Sequence, residues 1–142
     1  MEFSKKSIKQ IGTAHKDMKR VLDLAIKITK VDFGVSEGRR SIAKQLQLFN
    51  SGKSKIDGFN TKGKHNSKPS MAVDIFASVR RKANYDVHNM CYLAGLIEAC
   101  ASFLFDTQII EYKVRWGGNW DMDEEIITDQ SFDDLCHFEL YK

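Results

Sequence analysis

A chain of 142 residues with 42% hydrophobic and 29% charged side chains has the make-up of one ordinary globular domain. A chain of that length buries roughly 68–70% of the surface its unfolded form exposes, so it needs no staples to fold, and intrinsic disorder and collagen-like structure are excluded. Lys and Arg outnumber Asp and Glu by a formal charge of +3, which favours contact with polyanions but falls short of a nucleic-acid signature.

Residues 14–30 carry Met18, Val21, Leu22, Ala25 and Ile26 as a stripe of period 3.6, which predicts a helix with Thr13 as its N-cap. Val31 to Ser36 alternates and reads as a short strand. A turn over Glu37–Ser41 leads into a second helix capped by Ser41, with Ile42, Leu46 and Phe49 on one face and Gly52 ending it. From Lys53 to Ser70 the chain is polar and turn-rich, with Asp57-Gly58, Gly63 and the only proline, Pro69. An irregular segment of that length inside a compact domain is usually functional. Ala72 to Phe76 reads as a strand and Asn84 to Phe105 as a long helix, apolar nearly all round and therefore central. A strand over Tyr112 to Trp116, a Gly-Gly turn, an acidic loop and a last strand from His137 to Tyr141 complete the chain. Helices and strands mix without βαβ regularity, so the expected class is α+β.

Cys91, Cys100 and Cys136 are odd in number and lack CxxC spacing, as expected of reduced thiols in a protein made in a cytoplasm. The N-terminal residues lack the apolar core of a signal peptide. The longest apolar region, Met90 to Phe105, contains Glu98 and is short for a bilayer span, so no membrane insertion is expected.

Chemistry concentrates on a few residues. Alternation along the last strand sets His137 and Glu139 on one face, and Phe138 and Leu140 on the other. Asp74 faces away from Val73 and Ile75 in an apolar strand, a costly position unless it is paired or metal-bound. His65 lies nine residues earlier, at the end of the polar loop. Two imidazoles and one carboxylate match the ligand set of a catalytic zinc with a fourth position left for water. The same residues also suit hydrogen-bonded core positions, and no HExxH helix is present.

Five segments in order sharpen this reading: Val31–Ser41 (VDFGVSEGRRS), Leu48–Gly58 (LFNSGKSKIDG), His65 with Ala72–Asp74 (AVD), Arg115–Asp121 (RWGGNWD) and Asp134–Glu139 (DLCHFE). Across nearly the whole chain the sequence resembles the single-domain phage endolysins of the zinc D-Ala-D-Ala carboxypeptidase and L-alanyl-D-glutamate endopeptidase family. The resemblance implies a hedgehog/DD-peptidase-like fold, a small antiparallel sheet with helices packed on one side. It also implies one Zn2+ per chain held by His65, Asp74 and His137, with Asp134 as the catalytic carboxylate. Asp134 precedes His137 by three residues, which suits a group that reaches a water instead of the metal. Arg40 takes the arginine of the family's Gly-x-Arg-Ser motif, there to stabilise an oxyanion or clamp a substrate carboxylate.

The chain departs from the family pattern in three places. Gly63 stands where many relatives have Ser, the His-to-Asp gap is nine where seven is commoner, and Cys136 replaces a proline. Cys136 is expected to point with Phe138 into the core. Trp116 is read as the aromatic wall of the cleft, with Trp120 as its rival, although a buried core indole is an equally common reading of either. Asn119, Asp121, Asp123, Glu125 and Asp129 space oxygens as a Ca2+ loop would, but the EF-hand glycine and full spacing are missing and a solvated acidic loop is the better reading. His15 and His88 are taken as structural.

Residues 1–142 are thus expected to form a single zinc peptidase domain with no separate wall-binding domain. The expected activity is hydrolysis of the L-Ala-D-Glu amide in bacterial peptidoglycan, by a monomer without nucleic-acid partners. It would be made in the host cytoplasm and released to the wall through a separate pore-forming protein. A D-Ala-D-Ala carboxypeptidase, and a non-catalytic wall-binding module with structural zinc, are the alternatives.

Overall fold

A computed structural model describes residues 1–127, 130 and 132–142. In chain order the elements are α1 (Lys5–Ile11), α2 (Lys16–Ile28), β1 (Phe33–Glu37), α3 (Ile42–Asn50), a 3-10 turn (Lys64–Asn66), β2 (Ala72–Val79), β3 (Lys82–Asn84), α4 (Val87–Asp106), β4 (Lys113–Trp116) and β5 (His137–Tyr141). The strands form one antiparallel sheet in the order β1-β2-β5-β4, with β3 folding back onto the far end of β2. This is the α+β architecture the sequence predicts.

One face of the sheet makes the core. Phe33, Val35, Val73, Ile75, Ala77, Phe138 and Leu140 are at most 2% exposed and belong to one apolar cluster with Met18, Val21 and Leu22 of α2 and Met90, Leu93 and Ile97 of α4. Truncating any of the large members costs about 2–5 kcal/mol. Helix α4 is long and apolar enough to cross a membrane by length and composition, yet its Met90–Ile97–Leu104 stripe is buried in this core. All three cysteines are free thiols.

Several local expectations shift. Helix α1 and strand β3 were not foreseen; α1 is short, capped by Ser4, and buries little besides Ser7 and Ile11. The cap of α2 is His15, whose ring accepts the Asp17 N–H at 3.1 Å, not Thr13. The Thr13 hydroxyl instead donates to the Gln10 carbonyl and accepts the Arg39 N–H, tying the end of α1 to the chain leaving β1. Ser41 caps α3 as expected, but Ile42, Leu46 and Phe49 are each about 40% exposed, and the buried residue of that helix is Gln45.

The opposite face of the sheet carries polar groups, and a bulge in β1 helps to place them. Phe33 and Val35 pair with Ala77 and Ile75, so regular alternation would send position 37 into the core. The register shifts between Val35 and Glu37, and Glu37 pairs with Asp74 on the polar face. Asp74 in turn pairs with His137 on β5, giving a row of Glu37, Asp74 and His137 across three strands.

Candidate active site

His65 joins that row from the 3-10 turn. The turn is held by Asn66, whose carbonyl oxygen accepts the Gly63 N–H at 2.8 Å and whose amide donates to the Arg40 carbonyl at 3.1 Å. The Arg40 N–H donates to the His65 carbonyl at 2.8 Å, fixing the imidazole over the sheet.

Three atoms then converge. His65 Nε2 lies 3.2 Å from Asp74 Oδ1 and 3.2 Å from His137 Nδ1, and His137 Nδ1 lies 3.3 Å from the same Asp74 oxygen. Ligands about 2.0–2.1 Å from a tetrahedral ion are separated by about 3.3 Å, so this triangle has the size of one face of such a shell. The protons confirm the direction. His65 Nδ1 lies 2.7 Å from the Gly38 carbonyl, which can only accept, so Nδ1 carries the hydrogen and Nε2 presents its lone pair. His137 Nε2 donates to Glu139 Oε1 at 3.0 Å, which leaves Nδ1 to face the triangle. Bare lone pairs and a carboxylate oxygen at such spacing repel unless a proton or a metal cation sits between them. Among the described residues the same three are a group able to hold a metal ion.

Behind the triangle stands a supporting layer. Glu139 Oε2 accepts Arg115 Nη2 at 2.8 Å, and these bonds outweigh burial to hold the Glu139 pKa at about 2. Glu139 therefore stays a carboxylate and keeps His137 in the required tautomer. Glu139→Gln is expected to cut metal affinity about 10- to 100-fold with the fold intact, read by competitive chelator titration. Unchanged affinity would remove Glu139 from the metal's support.

Burial would lower the pKa of His137, but its hydrogen bonds to Asp74 and Glu139 prevail and raise it to about 9 in the metal-free protein. Burial would raise that of Asp74, yet the hydrogen bond from His137, with His65 beside it, holds it well below the usual carboxylate range. A proton on His137 Nδ1 and a metal ion compete for one lone pair. Below pH 9 binding must expel that proton, so apparent affinity falls about tenfold per unit as pH drops from 9 to 7, and levels off above 9. Competition titrations across that range check the slope; a flat profile contradicts the competition.

Asp134 lies beside the triangle and is not part of it: its carboxylate, that of Asp74 and the Cys136 sulfur lie within 4.8 Å of one another. The Cys136 thiol donates to Asp134 Oδ1 at 3.0 Å. Cys136 thus touches the core with one side but aims its sulfur at the site, correcting the expectation of a purely internal residue. Burial and the charges of Asp74 and Asp134 push its pKa up, so it remains a thiol. The backbone at Asp134 is set by Gly117, whose carbonyl accepts the Asp134 N–H at 3.0 Å; a Cβ on Gly117 would run into the Asp134 carbonyl.

Arg40 is close by but heavily engaged. Its Nε and Nη2 donate to Glu37 at 3.0 and 2.8 Å, its Nη1 donates to Gln45 at 2.9 Å, and Nη2 also lies 3.7 Å from Asp74 Oδ2. Three of its five N–H donors are thus taken by Glu37 and Gln45, and two, one each on Nη1 and Nη2, remain for a ligand or for Asp74. The aromatic wall also moves. Trp116 is 2% exposed, donates its indole N–H to the Leu135 carbonyl, and belongs to the core. Trp120 lines the cleft instead, its ring 5.3 Å from that of His137 and 5.4 Å from the Arg115 guanidinium.

Asp129 of the acidic loop lies outside the described residues. Among those described, Asn119 and Asp123 use their side-chain oxygens on backbone N–H groups, and the loop's carboxylates form no group of metal-binding size. Both the triangle and Asp134 open into a cleft of about 820 Å3, whose other wall is α3 and the segment from Gly52 to Lys64.

Chemistry of this kind belongs to metal-assisted hydrolases: three protein donors leave a coordination position for water, with a carboxylate beside it unligated. A sequence profile of phage L-alanyl-D-glutamate peptidases matches residues 1–141, and the chain belongs to that family. The crystal structure of the L-Ala D-Glu endopeptidase ChiX from Serratia marcescens is similar, with a TM-score of 0.79 and 26% identity over 99% of this chain and 90% of that one. No curated protein gave a significant match.

Proposed function

We propose that this chain hydrolyses the L-Ala-D-Glu amide of peptidoglycan stem peptides with one zinc ion held by His65, Asp74 and His137. The observation that carries the reading is the triangle of bare donor atoms, 3.2–3.3 Å on a side, opening into a cleft beside Asp134. Zinc suits two imidazoles and one carboxylate, and when bound it supplies Lewis-acid polarisation of the scissile carbonyl and of an attacking water.

The chain's own residues do the rest. Asp134 accepts the proton of the attacking water at its carboxylate and delivers it to the leaving nitrogen. The Cys136 thiol holds that carboxylate in place. Arg40 orients Asp74 and lends an N–H, with its positive charge, to the oxygen that gains charge in the transition state. Trp120 walls the cleft next to His137 and limits water there.

Every one of these groups comes from one chain, on the sheet or on the turns and loops around it, which supports a monomer acting as a single catalytic domain. As a phage enzyme it is made in the host cytoplasm and reaches the wall through a separate pore-forming protein. The non-catalytic alternative has no use for an open coordination position beside a free carboxylate. The endopeptidase reading is preferred to a D-Ala-D-Ala carboxypeptidase because the matching family is described by the L-Ala-D-Glu bond. Mass analysis of digested peptidoglycan tests it: new amino-terminal D-Glu is expected, and release of free D-alanine without it would replace this activity by the carboxypeptidase.

A further inference from the structure

The cleft wall opposite the triangle is basic, and part of that charge has no partner. Lys44 is paired with Glu37 at 2.9 Å, and Lys64 donates its ammonium to the Leu140 carbonyl at 2.8 Å. Lys53, Lys55 and Lys62 also line the cleft, are exposed, and form no ion pair among the described residues. Their backbone is nevertheless pinned. Gln45, 2% exposed, donates its amide to Ser54 Oγ at 2.8 Å and to the Ile56 carbonyl at 2.7 Å while accepting from Arg40. Asp57 Oδ1 accepts the N–H groups of Phe59, Asn60 and Thr61, closing the turn between Lys55 and Lys62. The lysines are thus carried on a segment fixed to the same Arg40 that borders the triangle.

The substrate supplies the complement. Alanine contributes a methyl group, but glutamate has two carboxyls and only one of them continues the chain, so an L-Ala-D-Glu amide has a carboxylate close to its leaving nitrogen. Of the carboxylates lining the cleft, Glu37, Asp74 and Glu139 are already paired, whereas Asp134 forms no ion pair among the described residues and opposes that anion by like charge. Arg40 gives three of its five N–H donors to Glu37 and Gln45, which leaves it a weaker partner for that anion than a free cation.

We propose that Lys53, Lys55 and Lys62 form an anion subsite that binds a carboxylate on the D-glutamyl side of the scissile amide. The proposal rests on the endopeptidase reading and adds what selects the substrate. The anion is the free glutamyl carboxylate or the next one along the peptide, and both present the same chemistry to the lysines.

The test uses the zinc-loaded protein and three peptides: acetyl-L-Ala-D-Glu-Gly, the same peptide with its free glutamyl carboxylate as a carboxamide, and the same with its C-terminal carboxylate as a carboxamide. Amidating the recognised carboxylate should raise KM about five- to tenfold, as several partly exposed charge pairs allow. Combining Lys53→Ala, Lys55→Ala and Lys62→Ala should make acid and amide equivalent, and the three Lys→Arg changes should restore the preference. Which amide loses affinity tells which carboxylate is held. A triple Ala variant that keeps the full preference, or a native protein indifferent to both amidations, overturns the subsite. Binding of the dipeptide D-Glu-Gly, followed by calorimetry, keeps the two claims apart. If it binds through the lysines but no peptide is cleaved, the subsite stands and the peptidase reading falls.

Discussion

Asp134→Asn lowers kcat on purified peptidoglycan by about 10²–10⁴-fold, the range general acid–base catalysis contributes, while the protein still binds one zinc. The separation is expected because Asp134 stands outside the donor triangle and its substitution leaves His65, Asp74 and His137 in place. Asparagine keeps the shape and still accepts the Cys136 thiol, so the loss reports proton transfer and not a collapsed loop. Kinetics with metal analysis of the same sample measure both. Near-native turnover would place the base elsewhere.

Asp74→Ala has the other large effect, and it acts on the metal. The substitution removes the only charged donor of the triangle and leaves two neutral imidazoles. It also takes away the carboxylate 3.7 Å from Arg40 and the acceptor that raises the pKa of His137. Zinc should be lost at micromolar concentration and hydrolysis with it, a much larger loss than that from Glu139→Gln, which only supports a ligand. Circular dichroism should show the fold retained, since the apolar cluster lies on the other face of the sheet. A variant that keeps stoichiometric zinc would mean that the ion is held by other donors.

Period-2 alternation made His137, Glu139 and Asp74 legible in the sequence, because a residue's face follows directly from strand parity. Joining His65 to them took the resemblance, since no local pattern says where a long polar loop returns. Glu37 was hidden for a definite reason: the bulge in β1 reverses its face, and bulges have no residue code of their own. Gln45 was missed because a helix is read by its apolar stripe. Here Ile42, Leu46 and Phe49 stay in contact with solvent, while a polar side chain is buried to anchor the cleft wall. Between the two tryptophans spacing cannot choose. Trp116 is on β4 and packs inward, and Trp120 follows the Gly-Gly turn that brings the chain back over the site. The Glu139–Arg115 pair did leave a signal: Glu139 shares the His137 face, and a carboxylate two residues from a ligand on one strand is well placed to orient it.

Zinc-dependent digestion of purified peptidoglycan bears most directly on the whole account. The protein is treated with chelator, then with chelator followed by zinc, and the fragments are read by mass. New amino-terminal D-Glu that disappears with chelator and returns with zinc is the predicted result. Cleavage that persists in the metal-stripped protein, or a folded zinc-loaded protein that cuts nothing, would contradict it.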